Sequence, residues 1–490
     1  MFNLFAKYWR SPQPQRVSTD EVIPVGFFDD TIIFRNFVFY ALFNFDSVLA
    51  TGLLHDSLGG LLNQPGWNKL GARLRRNDRG ELEHHIPKEF SADRPAVGFE
   101  HVDLSHLAAE DHPTASKIPR PPSSGQPSIV GDPSHLSDLY LGPDIPRGLN
   151  DYLFTDRPQL GLRIVSFKNS TVMVLHWLHL SADAVSIGSL LNAWSLKLQG
   201  REDDIPKPLT GAYALEDLGK NPNRPHVLSH QHMSTISLCK WLFWNFYNLA
   251  IRPKENRVVC IPAEYLRGLK EKAMAELEAQ PSIDGKEKPK FVSEGDVILA
   301  WVARLSFSSL SESSECTMAL QQVYEWRRAL KDLIPNDRPI LSNCVGFVVT
   351  LIPAKDLLQK SLSYVASQIR RTLIEQGSRE QIEAYTSLIR QDPINKAPPL
   401  FGDTSMKLLM FTNWQRARLY ETDFSAASVN KLDDPLFPSY IQAVPGPYEF
   451  NDGLILFGKD SSGNYWFGGQ RAQGQWGMME RKIEEGMEDF

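Results

Sequence analysis

Hydrophobic positions in the first half of the chain follow two spacings, which predict two kinds of element. Short runs of branched and aromatic residues predict strands at 31–45, 162–167 and 171–178, the last two joined by a tight turn as a β-hairpin. Leucines three or four positions apart predict a helix over 46–67, because that spacing places them on one face. These leucines are Leu49, Leu53, Leu54, Leu58, Leu61 and Leu62. A second helix is predicted after the hairpin, at AVSIGSLLNAWSLKL (184–198).

The second half repeats this mixture of elements. Predicted helices cover 263–280, 293–307, 362–376 and 478–490, and predicted strands cover 256–262, 345–353, 406–414 and 453–460. The glycine-rich stretch GKDSSGNYWFGG (458–469) lacks the strand–GxGxxG–helix context of a dinucleotide site, so it predicts a hairpin turn. Because helices and strands alternate in both halves, the predicted fold class is α/β (α+β) with mixed sheets.

Polar stretches predict where the chain divides. The segment 111–150 is rich in Pro, Ser and Gly and is predicted to wrap the surface, and 281–290 is predicted to be a loop. Since 490 residues are long for one core, we expect two domains of about 200–250 residues each. The predicted divisions are an N-terminal domain at 1–215, a crossover segment at 216–260 and a C-terminal domain at 261–490.

Charge and cysteine usage exclude several classes of protein. The net charge is −6 and no basic arm is present, so nucleic acid is not an expected partner. The four cysteines, at 239, 260, 316 and 344, form no CxxC pair, which argues against a structural zinc site or a disulfide framework. We therefore expect no bound metal and a reducing, cytoplasmic location. The N-terminal fifteen residues lack the shape of a signal peptide.

One apolar segment, ISLCKWLFWNFYNLAI (236–251), has two interpretations. It contains Lys240 and is shorter than the about 20 residues that a spanning helix needs, so no transmembrane segment is predicted. A buried or domain-bridging helix is the favoured interpretation. The alternative is a surface anchor that would make the protein peripheral to a membrane.

The stretch HWLHLSAD (176–183) carries candidate chemistry. His179 is predicted at the end of a strand and Asp183 at the start of the next helix, where an aspartate caps backbone N–H groups. His176 lies three residues back and points to the opposite face, so the two histidines do not form a metal site. A neutral imidazole at a strand end is suited to take a proton from a hydroxyl. The spacing alone also fits a packed histidine beside a helix cap, because about one His-x-x-x-Asp match per chain is expected by chance.

Longer stretches carry a family resemblance. HLSAD, with Trp194 closing the following helix, resembles the His-x-x-x-Asp motif of the BAHD acyltransferases, and of their fungal secondary-metabolism branch in particular. PVGFFDDTIIFRNFVFYALFNFD (24–46), GWNKLGARLRRNDRGELEHHIP (66–87) and EDHPTASKIPRPP (110–122) resemble the same branch. FTNWQRARLYETDFSAAS (411–428) resembles the family's Asp-Phe-Gly region, with Asp423 and Phe424 matching and Ser425 in place of the glycine.

The resemblance implies a fold, a reaction and a site. It implies two domains related to chloramphenicol acetyltransferase with a central solvent channel, in a monomer with no permanently bound cofactor. It implies transfer of an acyl group, most simply acetyl from acetyl-CoA, to a hydroxyl of a fungal secondary metabolite. His179 would be the general base, Asp183 would steady its loop and Asp423 would organise the channel. The family often has glycine where this chain has Ala184 and Ser186.

Further residues and functions remain open at this stage. Asn343 and Trp414 are candidate donors to an oxyanion, and the pair Arg327-Arg328 is a candidate contact for a CoA phosphate, whereas His84-His85 is predicted on a partly exposed strand. Two alternatives to the acyl-CoA enzyme are a non-catalytic metabolite-binding relative and a condensation-domain-like enzyme that forms amides or esters. The latter usually carries His-His before its x-x-x-Asp, where this chain has Leu178.

Overall fold

The computed structural model describes residues 13–211, 213–279, 289–392, 394–446 and 452–486. Most of the N-terminal fifteen residues, most of the predicted 281–290 loop and the end of the predicted C-terminal helix lie outside these ranges. Within them, none of the helices is long and apolar enough to cross a bilayer.

The described residues form fifteen strands and eleven α-helices. The strands are β1 (Glu21–Pro24), β2 (Val38–Phe45), β3 (Arg73–Arg76), β4 (Leu82–Ile86), β5 (Gly98–Leu104), β6 (Ser128–Gly131), β7 (Leu160–Phe167), β8 (Thr171–Leu178), β9 (Lys254–Ile261), β10 (Thr317–Glu325), β11 (Val345–Pro353), β12 (Lys407–Asn413), β13 (Tyr440–Gly446), β14 (Gly453–Lys459) and β15 (Tyr465–Ala472). The helices are α1 (Thr51–Leu62), α2 (Ser137–Tyr140), α3 (Leu149–Leu153), α4 (Ala184–Leu198), α5 (Thr235–Phe246), α6 (Ala263–Ala279), α7 (Glu294–Phe307), α8 (Ala354–Gln359), α9 (Leu362–Gln376), α10 (Arg379–Arg390) and α11 (Gln475–Glu484).

The strands form three sheets, two of them large. The five-stranded sheet has the order β13-β2-β8-β7-β5, and the seven-stranded sheet has the order β11-β10-β12-β14-β15-β9-β6. Both are mixed, because β5 pairs with β7 in parallel, as β12 does with β10 and β14, while the other neighbours are antiparallel. The mixed α/β class predicted from the sequence is therefore confirmed.

Each large sheet receives one strand from the far half of the chain. β13, from the C-terminal half, pairs with β2 from Val38 to Asn44 in the five-stranded sheet. β6, from the N-terminal half, pairs with β9 at the edge of the seven-stranded sheet. The segment 111–150 thus contributes a strand and two short helices rather than only wrapping the surface. The boundaries at residues 215 and 260 stay predictions.

Several elements form where the local pattern predicts them. The hairpin β7–β8 pairs Ser166 with Thr171 next to its turn, and β14 and β15 pair across the predicted glycine-rich turn. Helix α4 spans 184–198 as predicted, with Asp183 as its cap. Helix α7 starts with a capping box, in which Ser293 and Asp296 each bond the other's backbone N–H. These features are local in sequence, so spacing alone specifies them.

The predicted strand 31–45 is wrong in its first half. Residues 32–36 form turns, and the strand begins at Val38. The turn is held by an ion pair between Asp30 and Arg35 at 2.6 Å and by hydrogen bonds from the backbone N–H groups of Phe34 and Arg35 to the Thr31 carbonyl. Charged side chains thus override the strand preference of the surrounding apolar residues.

The helix predicted over 46–67 is shorter in the structure. It covers Thr51–Leu62. Leu54, Leu58, Leu61 and Leu62 are buried as predicted, whereas Leu53 is exposed and Leu49 precedes the helix.

For 236–251, the expectation of a buried helix is wrong, while that of a domain-bridging helix stays a prediction. Helix α5 and the π-helical turn that follows it, Tyr247–Ile251, bury only Trp241 fully, and most of their large apolar side chains face solvent. Trp241 anchors the helix by donating its indole N–H to the Met406 carbonyl at 2.9 Å. The rest of this surface is considered below.

Candidate active site

The motif around His179 forms the junction between a strand and a helix. β8 ends at Leu178, a short 3₁₀ turn covers His179–Ser181, and α4 begins at Ala184. An Asp183 carboxylate oxygen accepts a hydrogen bond from the Ser186 N–H at 2.9 Å, which caps the helix. The predicted arrangement of a histidine at a strand end and an aspartate at a helix start is therefore present.

His179 lines a cavity of about 380 Å³ that both large sheets help to form. Phe39 reaches it from the five-stranded sheet, while Met410 and Ile455 reach it from the seven-stranded sheet. The wall is mainly apolar and aromatic, and His179, Gln321 and Glu325 are among its few polar side chains. Such a wall fits an apolar small molecule that is oriented by a few polar groups.

Aromatic rings surround the His179 side chain. Its ring centroid lies 4.3 Å from that of Phe34 and 4.9 Å from that of Phe39. Burial among these side chains disfavours the charged form and lowers the pKa of His179 to about 4. The imidazole is therefore neutral at neutral pH, as a proton acceptor must be.

The backbone of His179 is held from two sides. Its N–H donates to the Phe37 carbonyl at 2.7 Å, and its carbonyl accepts from the Asn343 side-chain amide at 2.9 Å. Its ring Nδ1 is enclosed and has no hydrogen-bond partner in the described part of the chain. These contacts fix the position from which the ring projects into the cavity.

Asn343 does not act as the oxyanion donor that the sequence suggested. Its amide nitrogen donates to the His179 carbonyl and, at 3.0 Å, to the carboxylate of Asp29, so both of its N–H groups are in use. Asp29 is fully buried and also accepts from the Asn343 backbone N–H and the Ser342 hydroxyl, each at 2.6 Å. Asp29 therefore fixes the side chain of Asn343, and Asn343 in turn fixes the backbone of His179, the candidate catalytic residue.

Asp183 lines the cavity beside His179, and its carboxylate forms an ion pair there. Both of its carboxylate oxygens accept from the Arg327 guanidinium at 2.9 Å, and one also accepts from the Cys344 backbone N–H at 3.0 Å. Burial by itself raises the pKa of Asp183, but the Arg327 charge and these hydrogen bonds outweigh it and leave the pKa below its usual value. Arg327 is thus committed to Asp183 and does not suit the predicted contact with a CoA phosphate.

Asp423 lies apart from the other two candidate residues and does not line the cavity. Its carboxylate accepts from the backbone N–H groups of Ser425 and Leu436, at 2.8 and 2.9 Å. Its carbonyl accepts from the hydroxyl of Ser195, near the end of α4. The structure thus brings His179 and Asp183 together and places Asp423 behind them, at the other end of the helix that Asp183 caps.

Trp414 lines the cavity together with His179. Its ring packs against Phe39, at 5.3 Å between centroids, and against Phe457, at 6.4 Å. Its backbone N–H donates to the Leu456 carbonyl at 2.9 Å, whereas its indole N–H makes no hydrogen bond within the described residues.

The expected partial exposure of His84-His85 is wrong. Both side chains are buried in the three-stranded sheet. His84 Nδ1 lies 2.8 Å from the side-chain amide of Gln159, and the carbonyl oxygen of Gln159 accepts from the hydroxyl of Ser181 in the motif turn. These two hydrogen bonds connect His84 through Gln159 to Ser181, and so support the turn that carries His179.

A second, more polar cavity adjoins the first. Asn256 and Gln470 line both, and the second also contains Arg147 and Arg257. His179 lines the apolar cavity only, and the two shared residues mark where that cavity meets the polar one.

The sequence offered few signs of this supporting network. Asp29 and Arg327 lie more than 140 residues from the motif, so spacing gives no hint of them. Ser186 is an exception, because this chain departs from the resembled family at that position. Its hydroxyl donates to the Ile340 carbonyl at 2.7 Å and lies 3.1 Å from Asp183, which ties α4 to the 340–344 segment.

Comparison with known proteins finds one matching family model and several proteins of similar sequence. Residues 149–430 match the family model described as Transferase family. Over 97% of both chains, the protein is 33% identical to acetyltransferase adrJ of Penicillium rubens, and over 90% of both chains it is 31% identical to O-acyltransferase ausP of Penicillium brasilianum. It is also 34% identical, over 99% of both chains, to a protein of Penicillium decumbens named transcriptional regulator calD.

Solved structures show the same fold. The crystal structure of F. sporotrichioides TRI101 complexed with coenzyme A and T-2 matches 96% of this chain and 98% of that one, with a TM-score of 0.68 and 14% identity. Vinorine synthase matches 97% of this chain and 95% of that one, with a TM-score of 0.60 and 15% identity. At such low identity the likeness concerns the fold, which is the two-domain arrangement that the sequence resemblance implies.

Proposed function

Because the chain belongs to the Transferase family of BAHD-type acyltransferases, we propose that it moves an acetyl group from acetyl-CoA to a hydroxyl of an apolar secondary metabolite. The single observation that carries this proposal is the neutral His179 ring, fixed at a strand end and facing the apolar cavity. The names of the relatives adrJ and ausP support acyl transfer, and the latter supports oxygen as the acceptor atom.

His179 is the proposed general base. Since Nδ1 is the enclosed ring nitrogen, we assign the reaction to Nε2. Nε2 takes the proton of the acceptor hydroxyl while the hydroxyl oxygen attacks the carbonyl carbon of the thioester. The π electron pair of that carbonyl moves onto the carbonyl oxygen. When the tetrahedral intermediate collapses, the C–S bond breaks and the CoA sulfur leaves with the proton from His179. Holding two substrates beside one base supplies much of the rate enhancement.

Asp183 and Asp423 are proposed as positioning residues. Asp183 has both oxygens committed to Arg327 and backbone groups, and Asp423 is committed to backbone N–H groups. Neither carboxylate is free to exchange a proton with substrate. They act by fixing the two ends of α4.

The two adjoining cavities suggest separate approaches for the two substrates. We propose that the metabolite occupies the apolar cavity and that acyl-CoA arrives through the polar one, which contains arginines. The reacting groups then meet beside His179.

An assay of thiol release tests the proposed function. Purified protein is mixed with acetyl-CoA and a panel of hydroxylated terpenoids, alkaloids and polyketides, and the free thiol and the acetylated product are both measured. Release that depends on the acceptor, with a matching product mass, is the expected result. Binding of metabolites without release would instead support a non-catalytic relative. Transfer only from a carrier-bound acyl group would support a condensation-type enzyme.

The rate should depend on pH through His179. Because the pKa of this ring is about 4 and the reaction needs its neutral form, we expect kcat/KM to be level above about pH 5 and to fall as the pH drops through about 4. An unperturbed histidine would give a midpoint near 6.5, and such a midpoint in folded protein would contradict the assignment.

Acid unfolding has to be separated from this titration. Burial lowers the pKa of His176 to about 3 and that of His226 to about 4, so the unfolded chain takes up protons first as the pH falls below about 6.5. Their contribution to stability is therefore present at neutral pH and declines toward pH 4. Tryptophan fluorescence recorded at each pH identifies the range in which the protein is folded.

Trp414 is proposed to donate its indole N–H to the oxyanion. We expect Trp414→Phe to lower kcat about a hundredfold with little change in KM, because a donor to the transition state is lost. Trp326→Phe is a matched control, since Trp326 is also an indole on the cavity wall. A similar kcat effect in both variants would indicate a packing role instead.

We also propose that the protein acts as a monomer in a reducing compartment. His179, Asp183, Arg327 and the cavity all belong to one chain, and the four cysteines are free thiols. Sedimentation at the mass of one chain, 55.4 kDa, is the expected observation.

A further inference from the structure

Helix α5 and the turn that follows it expose an unusually apolar surface. Seven of the seventeen large hydrophobic side chains that are exposed in the described residues lie between 236 and 251. They are Ile236, Leu242, Phe243, Trp244, Phe246, Tyr247 and Ile251. Phe243 and Trp244 are 75% and 73% exposed, which is far from the burial that such side chains normally find. We call these seven residues the α5 face.

Helix α5 forms part of the wall of the apolar cavity, on the side opposite the α5 face. Leu238, on the inner side of the same helix, lines the cavity that contains His179. Trp241 fixes the inner side to the protein through the Met406 carbonyl. The helix therefore separates the acceptor cavity from the surroundings and has one apolar side toward each.

Two segments near α5 also combine side chains that line the cavity with an apolar side chain that faces solvent. Thr31, Ile33 and Phe34 line the cavity, as do residues 398–400. An exposed isoleucine lies within or shortly before each group in the sequence, Ile32 at 50% and Ile394 at 79%. The Ile32 N–H donates to the Asn395 carbonyl at 2.9 Å, which joins the first group to the residues just before the second.

The second of these segments also joins α5. The Met233 N–H donates to the Leu400 carbonyl at 2.9 Å, just before α5 begins. Three adjoining segments therefore surround one side of the cavity with apolar side chains that point outward.

The charge of this region identifies the kind of partner. Residues 235–252 contain the basic residues Lys240 and Arg252 and no acidic residue, although the whole chain has a net charge of −6. Tryptophan, tyrosine and phenylalanine beside basic side chains are the composition of a surface that lies in the headgroup region of an anionic bilayer. At twelve residues, α5 is too short to span a bilayer, so it lies along one.

We propose that the α5 face rests on an anionic phospholipid bilayer, so that an apolar acceptor passes from the lipid into the cavity. The bilayer contact stands on the α5 face itself. The transfer of the acceptor rests on the proposed acetyltransferase function.

Vesicle flotation of the full chain tests the contact. We expect binding to phosphatidylcholine vesicles that contain phosphatidylserine, and weaker binding without phosphatidylserine or in high salt. The double variant Phe243→Ser/Trp244→Ser should bind about a hundredfold more weakly, because two aromatic rings no longer enter the interface. The matched control is Ile374→Ser/Val429→Ser, which removes two side chains exposed by 63% and 61% elsewhere and should bind like the wild type.

Three outcomes would overturn the proposal. These are no binding by the wild type, equal binding by the α5 variant, and a concentration-dependent dimer that only the α5 variant abolishes. The last would make the α5 face a protein interface. Thiol release with a water-soluble acceptor is measured on the same samples. If the wild type releases thiol but does not bind vesicles, the membrane contact is refuted and the enzyme is not. If it binds vesicles but releases no thiol, the enzyme and the transfer of the acceptor are refuted and the contact is not.

Discussion

The variant His179→Ala is expected to lose about a thousandfold in kcat/KM while remaining folded. The ring faces the apolar cavity, and its backbone is held by Phe37 and Asn343 whatever the side chain is. Removing the ring therefore deletes the proton acceptor without removing a hydrogen bond of the fold. The residual rate comes from holding the two substrates together. Initial rates of thiol release with saturating acetyl-CoA measure the effect.

His176 supplies the matched control for this variant. It is a buried histidine three residues earlier on the same strand, and it does not line the cavity. His176→Gln is expected to keep most of the activity, although it can lower stability. Equal losses in the two variants would show that His179 serves packing rather than proton transfer.

The second large effect is on stability. Asp183→Asn is expected to lower the free energy of unfolding by about 3 kcal/mol, because Arg327 loses the nearer of its two carboxylate partners and keeps only Glu325, at 3.3 Å. Asparagine caps a helix about as well as aspartate, so the helix cap is kept, and the loss comes from the Arg327 pair and from the Cys344 N–H, which faces an amide nitrogen in place of an oxygen. Urea unfolding followed by tryptophan fluorescence measures it.

Two further variants isolate the ion pair. Adding Arg327→Met to Asp183→Asn removes the guanidinium that has lost its nearer partner, leaves Glu325 paired with Arg416, and should restore part of the stability. The same change in an exposed pair, Asp204→Asn opposite Arg201, should cost less than about 1 kcal/mol. If Asp183→Asn costs no more than Asp204→Asn, the buried pair does not stabilise the junction.

The sequence predicts the site where its geometry is local. The hairpin, the turn and the capped helix that present His179 depend on residues within about forty positions of one another, and periodicity predicts each of them. The residues that bond to the motif are not local in this sense, because they lie far from it in the sequence. Arg327 and Asn343 come from the other half of the chain, and only folding brings them to Asp183 and to the His179 carbonyl.

Phe34 illustrates a different difficulty. Its segment has the composition of a strand, yet the Asp30–Arg35 ion pair turns it. Because of that turn, an aromatic ring covers the imidazole and helps to lower its pKa. An apolar pattern cannot show which of two nearby charges will meet, so neither the turn nor its effect on the base was predictable. The expectation that α5 is buried fails for a related reason. Hydrophobicity alone does not distinguish a helix surface that packs against protein from one that faces outward toward lipid.

The exchange of β6 and β13 between the two large sheets affects how the protein is made. While a ribosome synthesises the chain from its N-terminus, β2 has no neighbour on one side until residues 440–446 emerge. The nascent N-terminal half therefore presents an open strand edge for most of translation, which is a site for aggregation or for chaperone binding. Once β13 has paired with β2, each half of the chain contributes one strand to the large sheet of the other half. Neither half can then unfold without opening a sheet of the other.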